Sequence, residues 1–154
     1  MTDLITSDAV FSASEVALLQ VLAEQMIPGS GNAPSAADAD IFALIVKRLM
    51  PSAQLVHTAL SALEASARSR YHKAFDDLSP TDQLSLTDST LDQGFKAVFQ
   101  MQVVTSYYED SRAMLAVGLP PRPAFPEGYE VTDSNWDLVE PVRARGAIYR
   151  QPPD

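Results

Sequence analysis

The chain has 154 residues, of which 46 % are hydrophobic, and it contains no cysteine. This length indicates one domain around a single core, and the lack of cysteine excludes disulfides, thiolate nucleophiles and iron–sulfur ligation by this chain. A formal net charge of −9 disfavours nucleic acid and anionic membranes as partners, because both would repel the protein at long range.

Four helices are predicted in the first part of the chain. Each begins with a polar residue that can cap a helix N-terminus, followed by apolar residues at helical spacing, and most end at a breaker. Phe75 and Leu78 are predicted to fold back into the core between the third and fourth helices. The predicted helices run from Ser12 to Pro28, from Ser35 to Pro51, from Ser52 to Tyr71, and from Ser79 to Asp88.

The stretch from Leu91 to Leu115 is predicted to be the central helix. It is apolar around most of its circumference, so it needs neighbours on several sides. Ser89 or Thr90 is the predicted N-cap, and a further turn closed by Gly118 is predicted after a cap at Asp110. Two interpretations stay open at this point. The helix is either surrounded by the core, or it presents one face to another protein.

The last 36 residues differ from the rest, because seven of the eleven prolines lie there together with several aromatic residues. Proline at this density disfavours helix and central strand, whereas aromatic residues are rare in disordered tails. We therefore predict a helical domain over residues 1–118 and an extended arm over residues 119–154, packed on its own surface or on a partner. The fold class is all-α, an irregular bundle of about five to six helices with a proline-rich C-terminal arm.

The arm and the end of the central helix carry the residue types that dominate protein interfaces, namely aromatic residues and arginine. The predicted partner-contacting residues are Tyr107, Tyr108, Arg122, Phe125, Tyr129, Trp136, Arg143, Arg145 and Tyr149.

No catalytic motif stands out in the sequence. The two histidines, His57 and His72, lack the spacing of metal ligands on one helical face, so both are predicted to be surface or capping residues. Consecutive carboxylates such as Asp76 and Asp77 point apart in a turn and are explained as solvated loop residues. We predict no catalytic, cofactor-binding or metal-binding residue in this chain.

The N-terminal sequence MTDLITSDAVF has no lysine or arginine, unlike a signal peptide, and no twin-arginine pair occurs. The apolar helix from Val16 to Ile27 is too short to span a membrane. We expect no direct membrane insertion and a cytoplasmic location. The periplasm is the alternative if the chain is exported with a partner or has lost a leader.

The order of features resembles a known family. The chain is similar to the small subunit, called subunit 3 or gamma, of gluconate 2-dehydrogenase and its relatives. The resemblance lies in the order of three segments: FSASEVALLQVLAEQMIPG, then a long helix running into YHKAFDDLSPTDQ, then TSYYEDSRAMLAVGLPPRPAFPEGYE. The resemblance covers the chain from Phe11 to about Arg150. Its most specific parts are Phe75 with Leu78-Ser79-Pro80, and the run from Tyr107 to Tyr129.

This resemblance implies a non-catalytic accessory subunit that binds and stabilises the large subunit of a FAD-dependent sugar or glycoside dehydrogenase of the glucose-methanol-choline type. In that family the FAD, and in some complexes an iron–sulfur cluster, is held by the partner, and a cytochrome c subunit can receive the electrons. The small subunit often escorts the flavoprotein through the twin-arginine export route.

Two alternatives remain from the residues themselves. One is a stand-alone helical ligand-binding domain or small enzyme that uses His72, Asp76 and Asp77. The other is a general helical adaptor that binds an unrelated partner through the arm.

Overall fold

The computed structural model describes residues 10–122, 128 and 135–146, and over these residues the protein is helical without a strand, which confirms the predicted all-α class. The contacts divide the chain into a first unit, Met1–Arg122, and a second unit, Pro123–Asp154. The first unit contains α1 (Ala13–Met26), α2 (Ala39–Leu49), a 3₁₀ helix (Met50–Ser52), α3 (Ala53–Tyr71), α4 (Pro80–Thr90), α5 (Gln93–Tyr107) and α6 (Ser111–Ala116).

Several of the predicted helix starts are confirmed by their caps. At α1 the backbone N–H of Glu15 donates to Ser12 Oγ at 3.3 Å, and the carboxylate of Glu15 accepts from the backbone N–H of Ser12 at 2.8 Å. This reciprocal pair satisfies two of the N–H groups that a helix start leaves without partners. Ser79 caps α4 through the N–H of Asp82, with Pro80 in the first turn, and Asp110 caps α6.

The boundary between the second and third helices differs from the prediction. Ser52 stands at the start of α3, but its side chain makes no capping hydrogen bond. Instead, the chain passes from α2 through the 3₁₀ helix Met50–Ser52 directly into α3. Pro51 fits there because a residue at the start of a helical turn has no N–H bond to lose.

The central helix also begins later than predicted. Ser89 and Thr90 form the last turn of α4, and the N-cap of α5 is Asp92, whose side chain accepts from the N–H of Phe95 at 3.0 Å. The predicted segment from Leu91 to Leu115 is therefore two helices, α5 and α6, joined by a turn at Tyr108–Asp110.

The core of the first unit is formed by the inner faces of α1, α2, α3 and α5. Phe75 and Leu78 lie between α3 and α4 and are buried as predicted, Phe75 completely. Burying a side chain of this size contributes about 1.5–3 kcal/mol to stability, so this turn is held firmly to the bundle. None of the described helices is both long and apolar enough to cross a membrane.

In the second unit, the described residues include a 3₁₀ helix (Trp136–Val139) followed by α7 (Glu140–Ala144). The expectation that proline prevents helix in this region is wrong for these nine residues. Pro141 lies in the first turn of α7, the one part of a helix that tolerates proline, and the side chain of Asn135 caps the preceding 3₁₀ helix.

Candidate functional site

Helix α5 has two apolar faces with different environments. Its inner face is buried in the core and consists of Phe95, Phe99, Val103 and Tyr107. Its outer face carries Met101 and Val104, and Tyr108, the C-cap of the helix, follows on the same side. We call these three residues the outer stripe. These three residues follow one another at spacings of three and four, so they lie on one side of the helix. Met101 is 62 % exposed and Tyr108 is 46 % exposed. An amphipathic helix of an isolated domain would normally carry polar residues on this side.

The two adjacent tyrosines predicted to contact a partner lie on different sides of the helix. Tyr107 is buried, 5 % exposed, and its hydroxyl donates to the carbonyl oxygen of Pro34 at 3.1 Å. Burial raises the pKa of the Tyr107 hydroxyl, so it stays protonated as this bond requires. Tyr107 therefore offers little surface to a partner, and Tyr108 is the tyrosine that faces solvent. The two rings meet edge to face, with centroids 5.3 Å apart.

Charged side chains hold the C-terminal end of α5. Arg48 on α2 donates to the buried hydroxyl of Ser106 at 2.9 Å and to the carboxylate of Glu109 at 2.6 Å. Ser106 is the one buried polar residue of the described core, and this bond satisfies it. Sequence inspection missed the contact because the two residues are 58 positions apart. The end of the outer stripe is therefore fixed to α2.

A second set of charged side chains lies just after the C-terminal end of α5. Arg112 forms ion pairs with Asp110 at 2.9 Å and with Asp38 at 3.0 Å. Hydrogen bonds from Arg112 hold the pKa of Asp110 below its usual value. The turn between α5 and α6 is therefore tied to the start of α2. Beyond it, Leu115 and Leu119 are exposed apolar residues.

The remaining predicted contact residues belong to the end of the chain. Arg122 is the last described residue of the first unit. Trp136, at the start of the 3₁₀ helix, is 67 % exposed, and Arg143 pairs with Glu140 at 3.0 Å while Arg145 is exposed. The predictions for Phe125, Tyr129 and Tyr149 lie outside the described residues.

Each histidine has a local structural role, His57 in a contact with Glu15 and His72 at the end of α3. His57 Nδ1 lies 2.5 Å from the carboxylate of Glu15, and its ring centroid is 5.5 Å from that of Phe11. His72 ends α3 with φ of 57°, a left-handed conformation typical of a helix C-cap. His72, Asp76 and Asp77 are exposed. Among the described residues, no group of three His, Asp or Glu side chains is arranged to hold a metal ion.

A concave surface of about 510 Å³ lies between α1 and α3. The two glutamates that line it from α1 and α3, Glu15 and Glu64, already have hydrogen-bond partners. Glu15 bonds to His57 and Ser12, and Glu64 accepts from the N–H of Phe75 and from Arg68. A ligand that used either of these two carboxylates would have to displace these bonds, so we assign Glu15 and Glu64 to stability.

Comparison with known proteins gives one result. The family model described as Gluconate 2-dehydrogenase subunit 3 matches residues 13–119. This range contains α1 to α6, the outer stripe and both tyrosines. No curated protein and no solved structure matches the chain.

Proposed function

The chain belongs to the gluconate 2-dehydrogenase subunit 3 family, and on this premise we propose that it is a non-catalytic accessory subunit that binds and stabilises the catalytic subunit of a FAD-dependent dehydrogenase of the glucose-methanol-choline type. The family match supports a role within a dehydrogenase complex. The observation that carries the binding role is the outer stripe of α5, an apolar surface on a helix whose opposite face lies in the core and that the rest of the first unit leaves uncovered.

The catalytic and redox groups belong to the other subunits in this proposal. FAD is held by the catalytic subunit, and the electrons pass from there to an acceptor such as a cytochrome c subunit. Because the sequence has no cysteine, any iron–sulfur cluster in the complex would also be ligated by another chain.

The proposed contact surface has two parts. In the first unit it is the outer stripe, with Tyr108 as its aromatic anchor. In the second unit it includes the exposed Trp136 and the arginines Arg143 and Arg145. Aromatic and arginine side chains contribute most of the binding energy in many interfaces, and rigid aromatic rings lose little entropy when they are buried.

The first experiment is co-purification of the tagged full-length chain from cells that also produce the dehydrogenase. We expect a stable complex that shows flavin absorbance, and native mass spectrometry will give its subunit composition. The catalytic subunit produced alone should be less stable and carry less flavin. A catalytic subunit that is fully active and flavin-loaded without this chain would contradict the stabilising role.

A charge placed in the outer stripe tests the contact surface. Met101→Glu should weaken association with the catalytic subunit by at least about tenfold, because the new carboxylate would be buried without a partner in the complex. The isolated chain should keep its stability, since Met101 faces solvent. Leu44→Glu, at an exposed apolar position on α2, is the matched control and should bind normally.

A further inference from the structure

Met101, the first residue of the outer stripe, is the most exposed methionine among the described residues. It is 62 % exposed, whereas Met50 is 45 % exposed and both Met26 and Met114 are partly buried. Its sulfur lies at the surface of α5, because the hydroxyl of the exposed Thr105, one turn later, donates to Met101 Sδ at 3.8 Å. The thioether is therefore open to small solutes in the free chain.

The helical positions next to Met101 carry uncharged side chains. Ala97 and Val98 lie one turn before it, and Val104 and Thr105 lie one turn after it. A polarisable thioether packs well on such a surface. A methionine sulfoxide is polar and chiral, and it disrupts contacts that a methionine makes with apolar neighbours. One added oxygen atom therefore changes the chemistry of the outer stripe at its most exposed residue.

Methionine is the sulfur-containing side chain open to oxidation in this protein, because the sequence has no cysteine. No thiol competes with it for a peroxide. An exposed thioether reacts more readily than a buried one, since the oxidant must reach the sulfur. Of the described sulfur atoms, the one in Met101 is therefore the first that a peroxide should oxidise.

We propose that Met101 is a reversible modification site, whose oxidation to the sulfoxide by a peroxide keeps the free chain from joining the catalytic subunit. The sulfur lone pair attacks one oxygen of hydrogen peroxide, and the O–O bond breaks. The hydroxide that leaves takes the proton of the transferred oxygen and becomes water. The sulfur is thus oxidised by two electrons and the peroxide is reduced. The inference rests on the proposed function, because it needs the outer stripe to be buried in the complex.

Oxidation and assembly oppose each other in this scheme. In the complex the partner covers Met101, so a peroxide cannot reach the sulfur. In the free chain the sulfoxide forms first, and its oxygen would then have to be buried in an apolar contact. A thiol-dependent methionine sulfoxide reductase reverses the change, because two thiols form a disulfide while the sulfoxide oxygen leaves as water. The modification therefore acts on unassembled chains.

Peptide mass spectrometry of the full-length chain after mild peroxide treatment tests the site. Met101 should oxidise ahead of Met50 and at least about fivefold faster than Met26 and Met114. In the assembled complex, the oxidation rate of Met101 should fall by at least about fivefold. The inference is overturned if Met101 reacts no faster than the partly buried methionines, or equally fast in the complex and in the free chain.

Binding of the oxidised chain tests the consequence. The free chain is treated with peroxide, the peroxide is removed, and the catalytic subunit is then added. We expect the Kd for the catalytic subunit to rise by at least about tenfold over that of the untreated chain. Methionine sulfoxide reductase with dithiothreitol should restore the original Kd. An oxidised chain that binds as tightly as the untreated one would contradict the inference.

Two leucine variants separate oxidation of Met101 from general damage. Met101→Leu keeps an apolar side chain but has no sulfur there, so its Kd after peroxide treatment should equal its own Kd before treatment. Met50→Leu removes the second most exposed of the described methionines and should lose affinity on oxidation as the wild type does. If oxidised Met101→Leu also loses affinity, another residue is responsible and the inference is wrong.

The two proposals fail in different ways. If the untreated chain forms the complex and oxidation of Met101 does not weaken it, this inference is wrong and the proposed function stands. If the untreated chain forms no complex with a dehydrogenase, the proposed function is wrong and this inference is wrong with it.

Discussion

At the scale of single residues, Tyr107 and Tyr108 illustrate how one helical step changes the role of a side chain. Both are tyrosines at the end of α5, yet one ring is enclosed by the core and the other faces solvent. The buried ring of Tyr107 also has a specific partner, because its hydroxyl donates to the carbonyl oxygen of Pro34, 73 positions earlier in the chain. Residue type alone could not separate the two.

Tyr107→Phe should lower the free energy of unfolding of the isolated chain by about 1 kcal/mol, because the carbonyl oxygen of the buried Pro34 loses its hydrogen bond. Urea denaturation followed by circular dichroism measures the change. Tyr108→Phe is the matched control and should have almost no effect. Equal losses in the two variants would show that the bond to Pro34 contributes nothing specific.

Glu15 should make stability depend on pH. Burial raises the pKa of Glu15, but hydrogen bonds from His57 and Ser12 lower it by more, so its pKa in the folded chain is below the ordinary value. The unfolded chain then binds more protons, and this contribution to stability is present above the unfolded pKa and is lost as the pH falls through the folded pKa. Unfolding free energies measured across the acidic range should fall less steeply for Glu15→Gln than for the wild type. Parallel curves would contradict this assignment.

Two side-chain contacts of the first unit join residues that are far apart in the sequence. His57 and Glu15 are 42 positions apart, and Arg48 and Ser106 are 58 apart. Glu15 also completes the capping box at the start of α1, three residues after Ser12. Local spacing could not predict that the same carboxylate also bonds to His57 on α3, because that contact depends on how α1 and α3 pack.

At the scale of the elements, three of the predicted caps were correct, namely Ser12, Ser79 and Asp110. Two others were wrong, because Ser52 makes no capping hydrogen bond and α2 begins at Ala39, after Asp38, rather than at Ser35. Before α5, both Ser89 and Asp92 satisfy the capping rule. The choice between them depends on how far α4 extends, and α4 continues to Thr90 because Leu86 and Leu91 are buried on either side of its last turn.

Substitution of the caps can test the start of α5. Asp92→Ala should destabilise the chain by about 1 kcal/mol, because the N–H of Phe95 loses its partner in a part-buried position. Ser89→Ala should cost less, since the Ser89 hydroxyl bonds to Arg70 and to the Leu86 carbonyl rather than to an N–H of α5. Thermal unfolding of both variants gives the comparison. A larger loss from Ser89→Ala would place the cap where the sequence first suggested.

At the scale of the whole molecule, composition and periodicity were sufficient for the all-α class and for the presence and order of the helices of the first unit, but not for where α2, α3 and α5 begin. They also predict an extended arm over residues 119–154, and this stays a prediction. The contacts of the structure divide the chain after Arg122. The outer stripe could not be located in advance. The sequence shows that α5 is apolar on several sides, but only the packing of α1, α2 and α3 shows which side they leave uncovered.

Removal of residues 123–154 tests whether the first unit folds without the second unit and whether the second unit contributes to binding. The first unit has its own core, so the truncated chain should keep its helical circular dichroism signal and a cooperative unfolding transition. Its affinity for the catalytic subunit should fall by at least about tenfold, because the exposed Trp136 and both arginines are lost. Loss of helical structure on truncation would instead assign the second unit to the stability of the first.

The outer stripe also has a consequence for the chain before it is assembled. An uncovered apolar face promotes self-association, whereas a net charge of −9 keeps the molecules apart. The balance between these two forces sets the colloidal behaviour of the free chain. Added salt screens the charge but leaves the apolar attraction intact, so the unassembled chain is best protected at low ionic strength. A cell that makes this chain in excess over its partner would therefore accumulate a protein prone to associate with itself.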